Sequence, residues 1–384
     1  MSQQLKTTAL ATASLIGTII GVGIFGVPYA ISKIGAPLAA VYFVALGGVQ
    51  LLQHLFYAEA AMACPDKLRL VGLSQRYLGL TASRLAGISL ILGAWASLLA
   101  YIIVGGVFLH LLLAPWLGGT VFAYQAVWAA VGFVLVYFGL DLIAKIDFWA
   151  TVALIAALLA IAFLGWPHVR TANFSWITPT DWILPYGVIL YSLGGLPTVL
   201  EMEDILKGDH RRYRLAITLG TLAAIALTSL FGFVVYGITG GATPENAIDS
   251  LRGVLGGGGV RLVAVFGFLA VATSFFATGT NLRGTWRHDY RLGRLAAWLA
   301  TLSLPIVALL AGIKSFVAII SFSGAVFGGV TAIIVVWLYV AVTRRRLMAA
   351  RPLGVPISVA YGVIALLAIG AVYETVAAAQ RLLN

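Results

Sequence analysis

Charge is the scarcest thing in this chain. Only 10% of its 384 residues are Asp, Glu, Lys or Arg, against a hydrophobic share of 61% and a mean hydropathy of +1.02. A water-soluble domain carries roughly 25% charged residues, so a surface facing water on all sides is excluded and lipid must be the main solvent. Cysteine is nearly absent. A single thiol, Cys64, excludes an internal disulfide and a cysteine-built metal cluster. The histidines at 54, 110, 168, 210 and 288 fall in different spans or loops without ligand spacing, and the glycine run at 256–259 is not followed by the Lys-Ser/Thr of a phosphate loop. No enzyme and no cofactor are expected. The formal charge of +11 does not indicate a nucleic-acid partner, because the basic residues sit in short loops between apolar runs.

Long apolar runs are abundant. A membrane helix needs about 20 predominantly apolar residues. Such runs lie near 8–32, 37–62, 85–113, 120–140, 142–165, 182–206, 213–240, 260–281, 292–312, 315–342 and 355–379. Eleven transmembrane helices in one membrane domain are therefore expected. The first run continues past Ile16 to Pro28, longer than a signal-peptide core. Helix punctuation separates the runs at Ala36-Pro37, Cys64-Pro65-Asp66, Pro115, Trp166-Pro167, Gly240-Gly241 and Arg351-Pro352.

Alternating the loops splits the charge cleanly. Eighteen of the 24 Lys and Arg fall on one side, in groups such as Lys67/Arg69/Arg76/Arg84, Arg211/Arg212/Arg214, Arg283/Arg287/Arg291/Arg294 and Arg344–Arg346. The other side holds Lys33, Arg170, Arg252, Arg261, Lys314 and Arg381. The positive-inside rule makes the richer side cytoplasmic. The N-terminus is then expected inside, the C-terminus outside, in a plasma or inner membrane.

Two spans carry interruptions in matching places. The first reads Gly17-Thr18-Ile-Ile-Gly21-Val22-Gly23-Ile-Phe-Gly26-Val-Pro28, and the sixth reads Tyr191-Ser192-Leu193-Gly194-Gly195-Leu196-Pro197. Glycine and proline both cost helix stability. Non-helical backbone at membrane depth is tolerated only where it lines a cavity or is buried in protein. First and sixth spans broken alike, five helices apart, are what an inverted repeat of five plus five helices produces, with half-helix ends offered to a zwitterion and a cation. Glycines that merely permit close helix packing are the competing explanation.

These residues resemble the amino acid–polyamine–organocation superfamily, and within it the bacterial aromatic and hydroxy amino acid permeases of the amino acid/auxin permease branch. The likeness rests on Gly17 to Pro28, on Glu59-Ala-Ala-Met-Ala-Cys64-Pro65, on Ala100-Tyr101-Ile102 with Gly105-Gly106, and on Gly194 to Pro197. It implies the LeuT fold: repeat one near 8–165, repeat two near 182–342 and an extra helix near 355–379. It also implies a substrate site at Gly17, Thr18, Gly21, Val22, Gly23, Tyr101, Tyr191, Ser192, Gly194 and Gly195. Where tryptophan- and tyrosine-type members usually carry a polar aromatic residue before the span 6 glycine, this chain has Leu193. In sodium-coupled members a Thr-Ser pair like Thr273-Ser274 ligates Na⁺ with carbonyls, here of Gly17, Ile20 and Ala270; ordinary back-bonding within the helix is the alternative.

Ionisable groups inside spans are expensive and mark function by default. Glu59 is an expected gate, with His54 and Gln50 deeper on the same span; a proton pathway and pairing with a loop arginine are the other readings. Glu201, four residues past Pro197, is the expected inner gate. Lys145 is too shallow in span 5 for the ion-replacing lysine of some relatives. The segment from Thr243 to Leu255 has the pattern of a short external helix. The resulting expectation is a secondary transporter of a neutral or aromatic amino acid, coupled to H⁺ or Na⁺. An amino-acid sensor without transport, or a same-fold carrier of a nucleobase or organic cation, are the alternatives.

Overall fold

The computed structural model describes residues 3–383 apart from 65, 67, 139–142, 175, 178, 207, 208, 246–251, 289 and 346–352. The described residues form helices and connecting turns. In chain order these are α1 (Gln3–Ile19), α2 (Val27–Ile34), α3 (Ala36–Met62), α4 (Leu70–Leu78), α5 (Leu80–Leu117), α6 (Val121–Phe138) and α7 (Ile143–Gly165). There follow α8 (Ile183–Ser192), α9 (Leu196–Leu206), α10 (His210–Thr239), α11 (Arg252–His288), α12 (Arg294–Leu310), α13 (Phe316–Phe322), α14 (Gly329–Arg344) and α15 (Ile357–Leu383).

Among the described residues nine helical segments are long and apolar enough to cross a bilayer, and the bent pair α1 and α2 makes a tenth. The ninth of the eleven expected spans is the shorter α12, with 17 residues. At about 1.5 Å per residue it reaches roughly 25 Å, short of the roughly 30 Å of hydrocarbon. Boundaries fall where the backbone chemistry demands. Pro28 and Pro37 occupy the first turns of α2 and α3, where their missing N–H costs nothing. Gly35 turns the chain between them at φ +77°, and its Cβ position is filled by Ile177.

Contacts between loops fix which ends share a face. Arg212 donates to Thr7 Oγ1 (3.3 Å), Arg69 to Asn281 (3.1 Å) and Arg345 to the Tyr77 carbonyl (3.1 Å), gathering the basic loops around the N-terminal end. On the opposite face the Thr180 amide bonds the Lys33 carbonyl (2.8 Å) and Arg170 bonds the Gly237 carbonyl (2.9 Å). The loops therefore alternate as the charge pattern requires.

The tenth span differs from the continuous helix expected over 315–342. Between α13 and α14, Ser323–Gly328 is a π-helical segment. Its Gly324 lies against the α8 backbone, where a Cβ would stand 2.8 Å from the Tyr191 amide nitrogen. Small residues and a widened turn let two backbones approach where side chains would hold them apart. From outside, α15 closes over this region: Gly370 lies against the Tyr186 ring, and Ser321 donates to the buried Glu374 (3.4 Å).

Candidate functional site

In the first span α1 ends at Ile19, a short 3-10 turn runs over Val22–Gly26, and the two halves meet at 47°. Two glycine contacts hold the bend. Gly17 packs directly on the Thr151 side chain of α7, leaving no room for a Cβ. A Cβ on Gly23 would stand 2.6 Å from Ser192 Oγ and 2.8 Å from its Cα, so the two broken spans touch backbone to backbone. Val22 and Gly23 open this turn, where the first N–H groups of a helix have no partner within it. Amides at a helix start favour an anionic group.

In the sixth span α8 stops at Ser192 and α9 begins at Leu196. The Leu193 and Gly194 amides close back on Ile189 (3.1 Å) and Tyr191 (3.2 Å). The Gly195 amide instead leaves its own chain and donates to His54 Nε2 of α3 (3.1 Å). One α3 turn away, Gln50 donates to the Leu190 carbonyl (2.6 Å). Two side chains of the second span thus clamp both lips of the break. His54 is fully buried and its Nδ1 lies 3.0 Å from Thr221 Oγ1 of α10. Because an amide can only donate, Nε2 is the acceptor, and the ring is the neutral tautomer with its proton on Nδ1, directed at Thr221.

Tyr101 of α5 is buried between the breaks, its hydroxyl faced by the side chains of Tyr191, Ser274 and Thr278. Tyr191 donates to Ser97 (2.9 Å). Ser274 borders Gly21, whose Cβ position lies 3.6 Å from Ser274 Oγ, an ordinary contact. The structure therefore brings Gly21, Gly23, Tyr101, Tyr191, Gly194 and Gly195 to one junction. Ser192 turns its hydroxyl to the Val188 carbonyl (2.7 Å) and packs under Gly23. Thr18 meets Thr198 of α9 at 2.5 Å, linking the two half-helices on the N-terminal side. Leu193 is fully buried. In the expected cation set Ile20 is buried and Thr273 donates to the Ala270 carbonyl (3.0 Å), the back-bonded arrangement.

One side of the junction is open. Thr18, Gly194, Pro197 and Glu201 are exposed, a stripe too polar to face lipid, so it faces water. The other side is sealed by Phe25, packed edge-on against Phe108 (5.1 Å) and Phe231 (6.0 Å), and by Ile320 against Gly26. The opening is on the N-terminal face. There Glu59, 2% exposed, accepts from Arg214 Nε at 2.6 Å. That is the pairing reading of Glu59, made with an arginine in the first turns of α10. Asp209 caps the same helix through the Arg212 amide (3.0 Å). The side chain of Lys145 and the central part of the expected external helix, residues 246–251, lie outside the described residues.

Thr151, Thr198, Thr221 and Ser97 escaped the sequence reading. Each is a lone hydroxyl in an apolar run, and only its partner on a distant helix marks it out.

The model of the tryptophan/tyrosine permease family matches residues 6–376 of the chain. The tyrosine-specific transport system 1 of Haemophilus influenzae is 22% identical over 343 residues, covering 84% of this chain and 85% of its own. Two solved structures share the fold. Mhp1, a nucleobase-cation-symport-1 family transporter solved closed with bromovinylhydantoin bound, superposes with a TM-score of 0.61 at 15% identity over 89% of this chain and 81% of its own. MhsT in complex with L-phenylalanine gives 0.61 at 14% identity over 94% and 98%.

Proposed function

The chain belongs to the tryptophan/tyrosine permease family, and from that premise we propose that it carries an aromatic amino acid across the membrane by alternating access, drawing on a cation gradient. The observation that supports this most is the pair of broken spans meeting at Gly23 and Ser192, with Val22 and Gly23 at the start of the short turn that follows the first break. A substrate carboxylate takes hydrogen bonds from the amides of Val22 and Gly23, and its ammonium group rests against carbonyls of the first and sixth spans. Tyr101 and Tyr191 form the wall for the side chain. The relative named for tyrosine transport favours an aromatic cargo.

By the positive-inside rule the N-terminal face is cytoplasmic, and the exposed stripe of Thr18, Gly194, Pro197 and Glu201 makes this an inward-open arrangement. The two five-helix repeats then span 8–165 and 182–342. Glu59 with Arg214, and Glu201 on the water-facing stripe, act as gate elements at the inner mouth. Sodium at Gly17, Ile20, Ala270, Thr273 and Ser274 is compatible with the Thr273 bond to the Ala270 carbonyl, since the hydroxyl oxygen keeps lone pairs for a cation.

Uptake of labelled tyrosine, tryptophan and phenylalanine into proteoliposomes, under an imposed H⁺ or Na⁺ gradient, tests the reading. Accumulation of at least one is expected; no gradient-driven uptake of any amino acid in a wide panel overturns it.

A further inference from the structure

Coupling to a proton needs a group that titrates, sits at the moving junction and changes what the junction can do when it takes the proton. Glu59 is paired with Arg214 at 2.6 Å well toward the end of α3, away from the contact between the breaks. Glu201 lies on the water-facing stripe, away from the contact between the breaks. His54 carries an ionisable ring and bonds the junction directly.

We propose that His54 is the proton-binding residue of the transport cycle, and that its protonation releases the Gly195 amide at the break of the sixth span. This rests on the transport reading above and names its coupling ion. Nε2 holds the Gly195 amide at 3.1 Å and Nδ1 faces Thr221 at 3.0 Å, so both ring nitrogens are committed in the neutral form. A proton added at Nε2 turns that nitrogen from acceptor to donor. Two donors then face each other, and the Gly195 amide must leave. Gln50, one turn earlier, keeps its hold on Leu190 whatever the protonation state. Release therefore acts on the α9 side alone, freeing the inner half of the sixth span.

The route for the proton is short. Gly194 is exposed to the open side, one residue from the amide that His54 holds. The proton comes from water on one side of the membrane and returns to water on the other; no other bond forms or breaks. An imidazolium beside the break also favours a carboxylate there, so proton and zwitterion each strengthen the binding of the other, as linkage requires.

The titratable groups around this stretch of α3 leave the role to His54. Glu59 of α3 and Arg214 of α10 are paired, and the remaining ionisable groups at the start of α10, His210, Arg211, Arg212 and Tyr213, lie further from Thr221 than Arg214 does. Tyr339 of α14 stacks on Phe56. Tyr191 of α8 is bonded to Ser97. The acids of α9, Glu201, Glu203 and Asp204, begin more than a turn beyond Gly195.

The test uses the full-length protein in proteoliposomes holding a trapped pH dye. Tyrosine added outside the wild type is expected to drive protons inward. H54Q keeps an acceptor for the Gly195 amide but cannot titrate. It is expected to retain tyrosine counterflow within a few-fold of wild type, while substrate-driven proton entry and pH-gradient-driven accumulation fall about tenfold or more. H54N serves as a second non-titrating variant. Absence of tyrosine-driven proton movement in a wild type that shows counterflow overturns the proposal and leaves the transport reading standing. Proton entry at the wild-type rate in either variant also overturns it. Loss of counterflow in both variants makes His54 a structural clamp and overturns it as well. Absence of counterflow in the wild type overturns the transport reading itself.

Discussion

Adding one methyl group at residue 23 strains the meeting point of the two broken spans. A Cβ there would lie 2.6 Å from Ser192 Oγ and 2.8 Å from Ser192 Cα. Carbon atoms in contact prefer about 3.5–4.0 Å. The hydroxyl can rotate away, but the α-carbon belongs to the backbone, so the spans must part by about 1 Å. Overpacking of this kind costs about 1–3 kcal/mol, which corresponds to roughly 5- to 150-fold in rate if the cost falls on the substrate-loaded junction. Gly21 is the internal control. Its conformation (φ −115°, ψ −151°) suits any residue, and its Cβ position is only in ordinary contact with Ser274 at 3.6 Å. G23A is expected to lower the initial rate of tyrosine counterflow within that range and to lower the unfolding temperature. G21A is expected to insert normally and unfold as wild type does. Wild-type counterflow and stability in G23A would refute the backbone-to-backbone junction.

The Glu59–Arg214 pair should behave as a buried ion pair: E59A or R214A each costs about 3 kcal/mol or more, and the double variant costs less than the two together in a thermal-unfolding cycle. E59Q should still show tyrosine-driven proton entry, since Glu59 is assigned to the gate. T18V and T198V should show a coupling of about 0.5–1.5 kcal/mol in a double-mutant cycle, through the 2.5 Å hydroxyl contact between α1 and α9. Replacing Na⁺ by choline at fixed pH should leave uptake within about twofold of its value, because the coupling ion is assigned to a proton at His54. The Asp209 carboxyl is held below the usual carboxylate range by the Arg212 amide and then its guanidinium. Its stabilising effect is present above the ordinary carboxylate pKa and fades as pH falls through the lower folded value. D209N should flatten that acid limb of the unfolding-temperature profile.

The broken spans were legible because glycine and proline act locally: Gly17 to Pro28 and Gly194 to Pro197 disrupt a helix wherever they are placed. The grouping of the loops was legible because arginine reports the membrane face. What stayed hidden was pairing across helices. Nothing near residue 54 says that its imidazole meets Gly195 and Thr221, more than 140 residues away. The partner of Glu59 was hidden in the same way, since Arg214 lies 155 residues further along the chain. The π segment at Ser323–Gly328 looked like ordinary helix, because its cause is the approach of Gly187 and Tyr191 from α8. The buried Glu374 was invisible for the same reason: its setting is made by α8 and α13, not by its own apolar run.

Thiol labelling gives the most direct test of where the substrate sits. In a C64A background, G194C places a reactive group on the exposed lip of the sixth-span break, where a Cβ meets nothing closer than the Tyr191 carbonyl at 3.4 Å. Trp176, 74% exposed in the loop on the far face, supplies the control as W176C. In detergent-solubilised protein, L-tyrosine is expected to slow modification at 194 in a saturable way and to leave 176 unchanged. Equal labelling rates at 194 with and without tyrosine, in protein that still performs counterflow, would contradict a substrate site between the broken spans.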